Sequence, residues 1–155
     1  MISFYKNLRY LELVLAGFER QDRNDFEIII ADDGSPKEVV AGVEKLLGRH
    51  SFPALHIWHP DKGFRKNKIL NKAIVAARSE YIIFIDGDCI PHSKFVSGHL
   101  QYAAKNVSLT GRRVNLSEKI TGVLTPETVK AGWLESHFGK VIIDGLFGDS
   151  FDVEK

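Results

Sequence analysis

The chain has almost no cysteine. Cys89 is the only one in 155 residues, so no disulfide can close within it, and a reducing compartment is the expectation. It also has almost no net charge: 21 basic residues face 20 acidic ones, leaving +1 at pH 7. That balance excludes the broad basic footprint by which a protein holds nucleic acid or anionic lipid without sequence preference. Long apolar runs are missing as well. The longest, "FEIII" and "YIIFI", fall far short of the roughly 20 residues that span a bilayer, and the first residues lack a basic-then-apolar signal pattern. These absences predict a soluble, cytoplasmic chain. No repeat, low-complexity tract or linker interrupts it, so its length predicts one domain over 1–155.

What the sequence does have is an alternation. Short β-branched or aromatic runs take turns with segments of helical period, the pattern of an α/β fold with a parallel sheet and crossover helices. In "NLRYLELVLAGFERQ", Leu8, Leu11, Val14, Leu15 and Phe18 recur at three- and four-residue spacings, which predicts an amphipathic helix with one buried stripe and Asn7 as its N-cap. "FEIIIAD" reads as a strand that breaks at "DDGSP", with Pro36 opening a helix to about Leu47. "LHIWH" is a third strand, "KILNKAIVAARS" a third helix and "YIIFI" a fourth strand. Beyond it the pattern predicts a helix over about Ser93 to Ala104, a strand "VSLTGRRV", and a helical region from "TPETVKAGWLESHF" with Pro126 in its first turn. Only three or four residues precede the first loop, in "MISFYKN". A first strand that short predicts a piece of a longer domain, incomplete at one or both ends.

In an open parallel sheet, ligands bind outside the carboxyl ends of the strands. Those ends carry Tyr5 and Asn7, then Asp32 and Asp33, then Asp61 to Arg65, then Asp86 and Asp88. Taken alone, Asp86-Gly87-Asp88 is ordinary turn chemistry and "DDGS" an ordinary turn and cap. Gathered on one rim, however, four carboxylates and several cations need something to bridge them, and a divalent ion carrying a diphosphate does so. Mg²⁺ and Mn²⁺ take hard oxygen ligands, commonly one or two carboxylates with phosphate and water. Gly87 lets backbone approach a ligand closely. Cys89 reads as a small buried hydrophobe and His92 as a capping or surface residue. His56 and His59, three apart on a strand, do not form a metal pair. The lysines from Lys66 to Lys72 read as a solvated helix face, and Gly111 to Arg113 as an exposed edge.

"SFYKN", "EIIIADDGS", "DKGFRKNKILNKAI" and "YIIFIDGDCIPHSKFV", in that order and spacing, resemble the family 2 glycosyltransferases, closest to their chondroitin-polymerase-like and galactosyltransferase-like branch. The resemblance implies a GT-A fold: a Rossmann-like, mostly parallel sheet with helices on both faces. It implies a metal-dependent, inverting transfer of a sugar from a nucleotide-diphosphate donor, UDP-linked, to a glycan or other hydroxyl acceptor in polysaccharide biosynthesis. Ser3, Phe4 and Tyr5 would line the nucleoside, Asp33 would hydrogen-bond the uracil, and Gly63 and Arg65 would help hold the base or the diphosphate. Asp86 and Gly87 would lie at the ribose and the ion, and Asp88 would ligate Mn²⁺ or Mg²⁺. Nucleic acid is not an expected partner, and membrane association, at the inner face, would be peripheral and run through segments outside this chain.

The family's acceptor base comes from a later "GG.D" and "ED" segment that this sequence does not contain, so the catalytic residue is unassigned. Glu135 in "GWLES" bears a superficial likeness to that motif, in surroundings that read as helix. Two other readings start from the same residues. "FIDGDCI", with the late "GDSFDVE" and Lys140, loosely fits a haloacid-dehalogenase-like phosphatase, whose nucleophilic Asp belongs on the first strand of its core. A receiver-like, non-enzymatic domain would need its acidic pair after the first strand and a Lys-Pro after the last.

Overall fold

The computed structural model describes residues 1–141. Four strands and three crossover helices come first: β1 (Ile2–Phe4), α1 (Leu8–Phe18), β2 (Ile28–Asp32), α2 (Lys37–Leu47), β3 (Ala54–Trp58), α3 (Lys66–Ala76) and β4 (Ile85–Asp86). Then follow α4 (Phe95–Gln101), α5 (Glu118–Val123), α6 (Pro126–Lys130) and α7 (Trp133–Ser136). The strands form one sheet in the order β3-β2-β1-β4, every neighbouring pair parallel. This is the predicted α/β class, with the helical crossovers that parallel strands require.

β2 explains why both faces of the sheet are covered. Its side chains alternate, so Ile28 and Ile30 join a core with Leu11, Val14 and Leu15 of α1 and Val43 of α2, while Ile29 and Ala31 join Ile69 and Ala73 of α3 on the other side. All five residues of β2 are buried. An isoleucine buried to this extent contributes about 1.5–3 kcal/mol. Helix α1 starts where the sequence says it should: the Asn7 side chain accepts from the backbone N–H of Tyr10 at 3.2 Å.

Four expectations are corrected. Helix α1 carries two buried stripes rather than one, because Leu13 and Ala16 pack under Leu124 and Val129 of the α5–α6 segment. The run "YIIFI" joins the ladder only at its end, where Ile85 and Asp86 lie beside Ile2 and Ser3; the Ile83 carbonyl accepts from the Met1 amino group at 2.8 Å, and Phe84 is 53% exposed. "VSLTGRRV" forms no strand, since no described strand lends it a backbone partner, and Val107 and Val114 both stand largely in solvent. The helix expected over Ser93 to Ala104 is regular only from Phe95 to Gln101.

The last helical region begins at Pro126, as expected, behind a reciprocal Thr125–Thr128 capping box. It breaks into α6 and α7 at Gly132, whose φ of 76° is left-handed and whose missing Cβ leaves room for the Arg20 guanidinium. "GDSFDVE" lies outside the described residues.

Ile30→Ala should lower stability by about 2–5 kcal/mol, as buried aliphatic truncations do. Val107→Ala should stay within about 0.5 kcal/mol of wild type, the range for exposed positions. Urea unfolding of the two variants compares the core with the exposed 107–114 segment.

Candidate functional site

At the carboxyl ends of β1, β2 and β4 the chain opens into a cleft of about 450 Å³. Ser3, Phe4, Tyr5, Asp33, Gly63, Asp86, Gly87 and Asp88 all line it. Strand direction alone brings them together: parallel neighbours end on the same side, so each strand-to-helix loop empties onto one rim.

The acidic turn is built against β1. Gly87 donates its N–H to the Ser3 carbonyl at 2.8 Å, and a Cβ on Gly87 would itself lie 2.8 Å from that oxygen, so only glycine lets the turn approach this closely. Ser3 Oγ donates to Asp86 Oδ1 at 2.6 Å, and Lys66 Nζ, from the first residue of α3, reaches the same oxygen at 2.5 Å. The Lys66 ammonium first, then the Ser3 hydroxyl, hold the Asp86 carboxyl below its ordinary range; the charge of Arg113 adds to this. Asp88 is exposed at the cleft. Cys89 Sγ lies 3.5 Å from its Oδ1, and burial, reinforced by the Asp88 charge, pushes the thiol up to about 11.

Ligand atoms of Asp86, Asp88 and Cys89 fall within 4.8 Å of one another. Sulfur is a soft donor that Mg²⁺ and Mn²⁺ disfavour, so the usable donors for a hard cation are the two carboxylates. That set suits a hard dication completed by phosphate and water.

Across the cleft, β2 ends in two carboxylates with different surroundings. Asp32 is fully buried, accepting from Ser35 N at 2.8 Å and lying 3.1 Å from His56 Nε2, so it fastens the turn beneath the cleft. Asp33 faces the cleft. Its Oδ1 is 2.7 Å from His59 Nε2 and its Oδ2 accepts the Arg65 backbone N–H at 2.7 Å. At the mouth, Tyr5 Oη donates to Asp61 Oδ2 at 3.0 Å while Gly63 N donates to Asp61 Oδ1 at 2.9 Å. The Gly63 N–H first, then Tyr5, lower the Asp61 carboxyl below its ordinary value.

Two candidates stand elsewhere. The Arg65 guanidinium turns onto the Pro60 carbonyl and does not line the cleft, although its backbone N–H serves Asp33. Glu135 grips Arg20 through both oxygens, at 2.6 and 2.7 Å, and accepts from Ser93 N at 3.3 Å. Burial alone would raise its pKa, but Arg20 outweighs it and the carboxyl is lowered. Glu135 thus ties α7 to the end of α1, away from the cleft. His92 caps its own turn by accepting from Lys94 N.

Lys66 is what sequence reasoning missed. By sequence it reads as one more lysine of a solvated helix face, although its place directly after Arg65, on the first turn of a helix that starts at the rim, is the available signal.

Lys66→Met should raise the Asp86 pKa, measurable by carboxyl-carbon NMR titration. Because the folded-state value is depressed, the pairing stabilises the fold above the unfolded value near ~3.9 and is lost as pH falls through the folded value. The acid limb of the stability profile should therefore become shallower in the variant.

Among the described residues no helix is long and apolar enough to cross a membrane. In solved structures the chain is similar to TarS of S. aureus (TM-score 0.54, 18% identity, covering 81% of this chain and 26% of that one). It is also similar to the TarS 1-349 fragment in complex with UDP (TM-score 0.52, 17% identity, 72% and 37%). Both share the parallel α/β arrangement of the GT-A fold. Among curated proteins it is 29% identical over 119 residues to the chondroitin synthase of Escherichia coli, covering 73% of this chain and 17% of that protein. It is 25% identical over 101 residues to the chondroitin synthase of Pasteurella multocida (strain Pm70), covering 64% and 10%. This chain therefore spans a small fraction of those relatives' length. Residues 1–141, which carry the four described strands and the lining of the cleft described above, match the family described as Glycosyl transferase family 2, and the chain belongs to that family.

Proposed function

We propose that this chain is the donor-binding part of a glycosyltransferase, taking a sugar from a UDP-linked donor and passing it, with inversion, to a hydroxyl of a glycan acceptor. One observation carries the reading: Asp33 on one wall and the Asp86-Gly87-Asp88 turn on the other face the same cleft at the carboxyl ends of a parallel sheet. UDP in the related TarS complex and the chondroitin synthase relatives support the donor and the acceptor class.

In this reading the base enters beside Phe4, Tyr5 and Asp33, and the diphosphate lies toward Asp86 and Asp88. Asp88, with Asp86, would hold Mn²⁺ or Mg²⁺, which when bound supplies Lewis-acid stabilisation of the departing nucleoside diphosphate. Ser3 and Lys66 fix the Asp86 carboxylate before any ligand arrives, so little reorganisation is needed at the moment charge develops on the leaving group. The Lys66 ammonium adds a second cation on the diphosphate's side of the cleft. Acceptor deprotonation is not assigned to Glu135, whose carboxylate is engaged by Arg20.

The phosphatase and receiver readings require the reactive carboxylate or acidic pair after the first strand of the core. Here β1 ends in Phe4 and carries neither, and Asp86 belongs to the outer strand β4.

Thermal melting tests the proposal. UDP should raise the melting temperature only when Mn²⁺ or Mg²⁺ is present, and Asp88→Ala should abolish the shift. A folded wild-type chain unmoved by UDP and metal together would rule the reading out. Glu135→Gln, by contrast, should lower the melting temperature of the free chain and leave the UDP-induced shift intact.

A further inference from the structure

His59 is a buried titratable group that the mechanism above does not use. It sits immediately after β3, only 3% exposed, with Nε2 2.7 Å from Asp33 Oδ1. Its other ring nitrogen, Nδ1, is buried and has no hydrogen-bond partner among the described residues. The short contact assigns the hydrogen. An imidazole nitrogen this close to a carboxylate must carry it, since two acceptors would repel. His59 therefore donates from Nε2 to Asp33.

The consequence falls on Asp33. One oxygen is held by His59 and the other by the Arg65 backbone N–H, so the plane of the carboxylate is set from both sides. The backbone beneath it is also fixed, Asp33 N donating to the Phe4 carbonyl at 3.0 Å. What remains on the cleft side is acceptor capacity alone. A group held opposite the ring nitrogen accepts from the imide N–H of uracil and meets a lone pair at that place in cytosine, whose donor is the exocyclic amine one position away. Holding the carboxylate from two sides keeps it from shifting to that amine, and a site fixed to accept at one position discriminates against a base with no donor there.

Building on the donor reading above, we propose that His59 is a positioning residue for base selection: by orienting Asp33 as a fixed anionic acceptor, it makes the cleft prefer uridine over cytidine diphosphates. It touches no substrate and acts through Asp33.

The test compares UDP and CDP binding by calorimetry, with Mn²⁺ present, in the whole chain and its variants. Wild type should prefer UDP. His59→Leu removes the donor and should weaken UDP binding by about tenfold, the value of a lost charge-assisted hydrogen bond, with the preference for UDP over CDP falling toward unity. His59→Gln can place an amide N–H near the position of Nε2 and should keep the preference. His59→Asn is too short to reach and should behave like the leucine variant, which provides a second reading should leucine disturb folding, as judged by the ligand-free melting curve. A folded His59→Leu or His59→Asn chain with the wild-type UDP-to-CDP ratio overturns the role of His59 while leaving the donor reading intact. Failure of the wild-type chain to bind UDP at all rejects the donor reading itself.

Discussion

Three residues of backbone, Ile2 to Phe4, hold this molecule together. β1 is paired on one side with β2 and on the other with β4, so the acidic turn and the Asp33 loop meet only because each is hydrogen-bonded to the same short strand. The pairing continues past the ladder into the loops. Asp33 N donates to Phe4, and Gly87 N donates to Ser3, so each wall of the cleft is one hydrogen bond from β1. Position across the cleft is thus inherited first from sheet register, with the Lys66–Asp86 contact added across it, and a one-residue slip would turn Ser3 to the opposite face.

On this frame the charged groups fall into two kinds. Some are consumed by the fold: Asp32 with His56 and Ser35, Glu135 with Arg20 and Ser93, His50 with Glu19 at 2.5 Å. Others are oriented by the fold but left facing the cleft: Asp33, Asp86, Asp88 and Asp61. Asp33 and Asp86 are each held by two protein donors, which sets their direction in advance, whereas Asp88 is left exposed. Holding a carboxylate by donors on one side and exposing the other is how a site can be rigid and still bind. The lowered pKa values of Asp86 and Asp61 are the electrostatic record of the same donors.

Periodicity and turn chemistry determined much of this without any structure. The Asn7 cap, the helix after Pro36 and the Pro126 start are local facts, written in residues whose partners lie within a few positions, and the apolar run of β2 marks a strand buried on both faces before its partners are known. The gathering of Asp33, Asp86 and Asp88 on one rim was legible too, because parallel strands must end together, and four motifs in register were enough to point to the family. What only the tertiary structure decided depends on partners far along the chain. "YIIFI" is apolar enough for five ladder positions but only its last residue joins the ladder, since pairing requires a neighbour and β1 supplies three residues. "VSLTGRRV" has strand composition and no strand beside it. Lys66 looks like any surface lysine until α3 begins at the rim and places its ammonium on Asp86, 20 positions away. His59 looks like a strand histidine until β2 and β3 align it with Asp33, and Glu135 looks like a candidate base until Arg20 folds onto it from 115 positions away. Residue type and spacing set which groups could act; long-range backbone pairing decided which of them face the cleft.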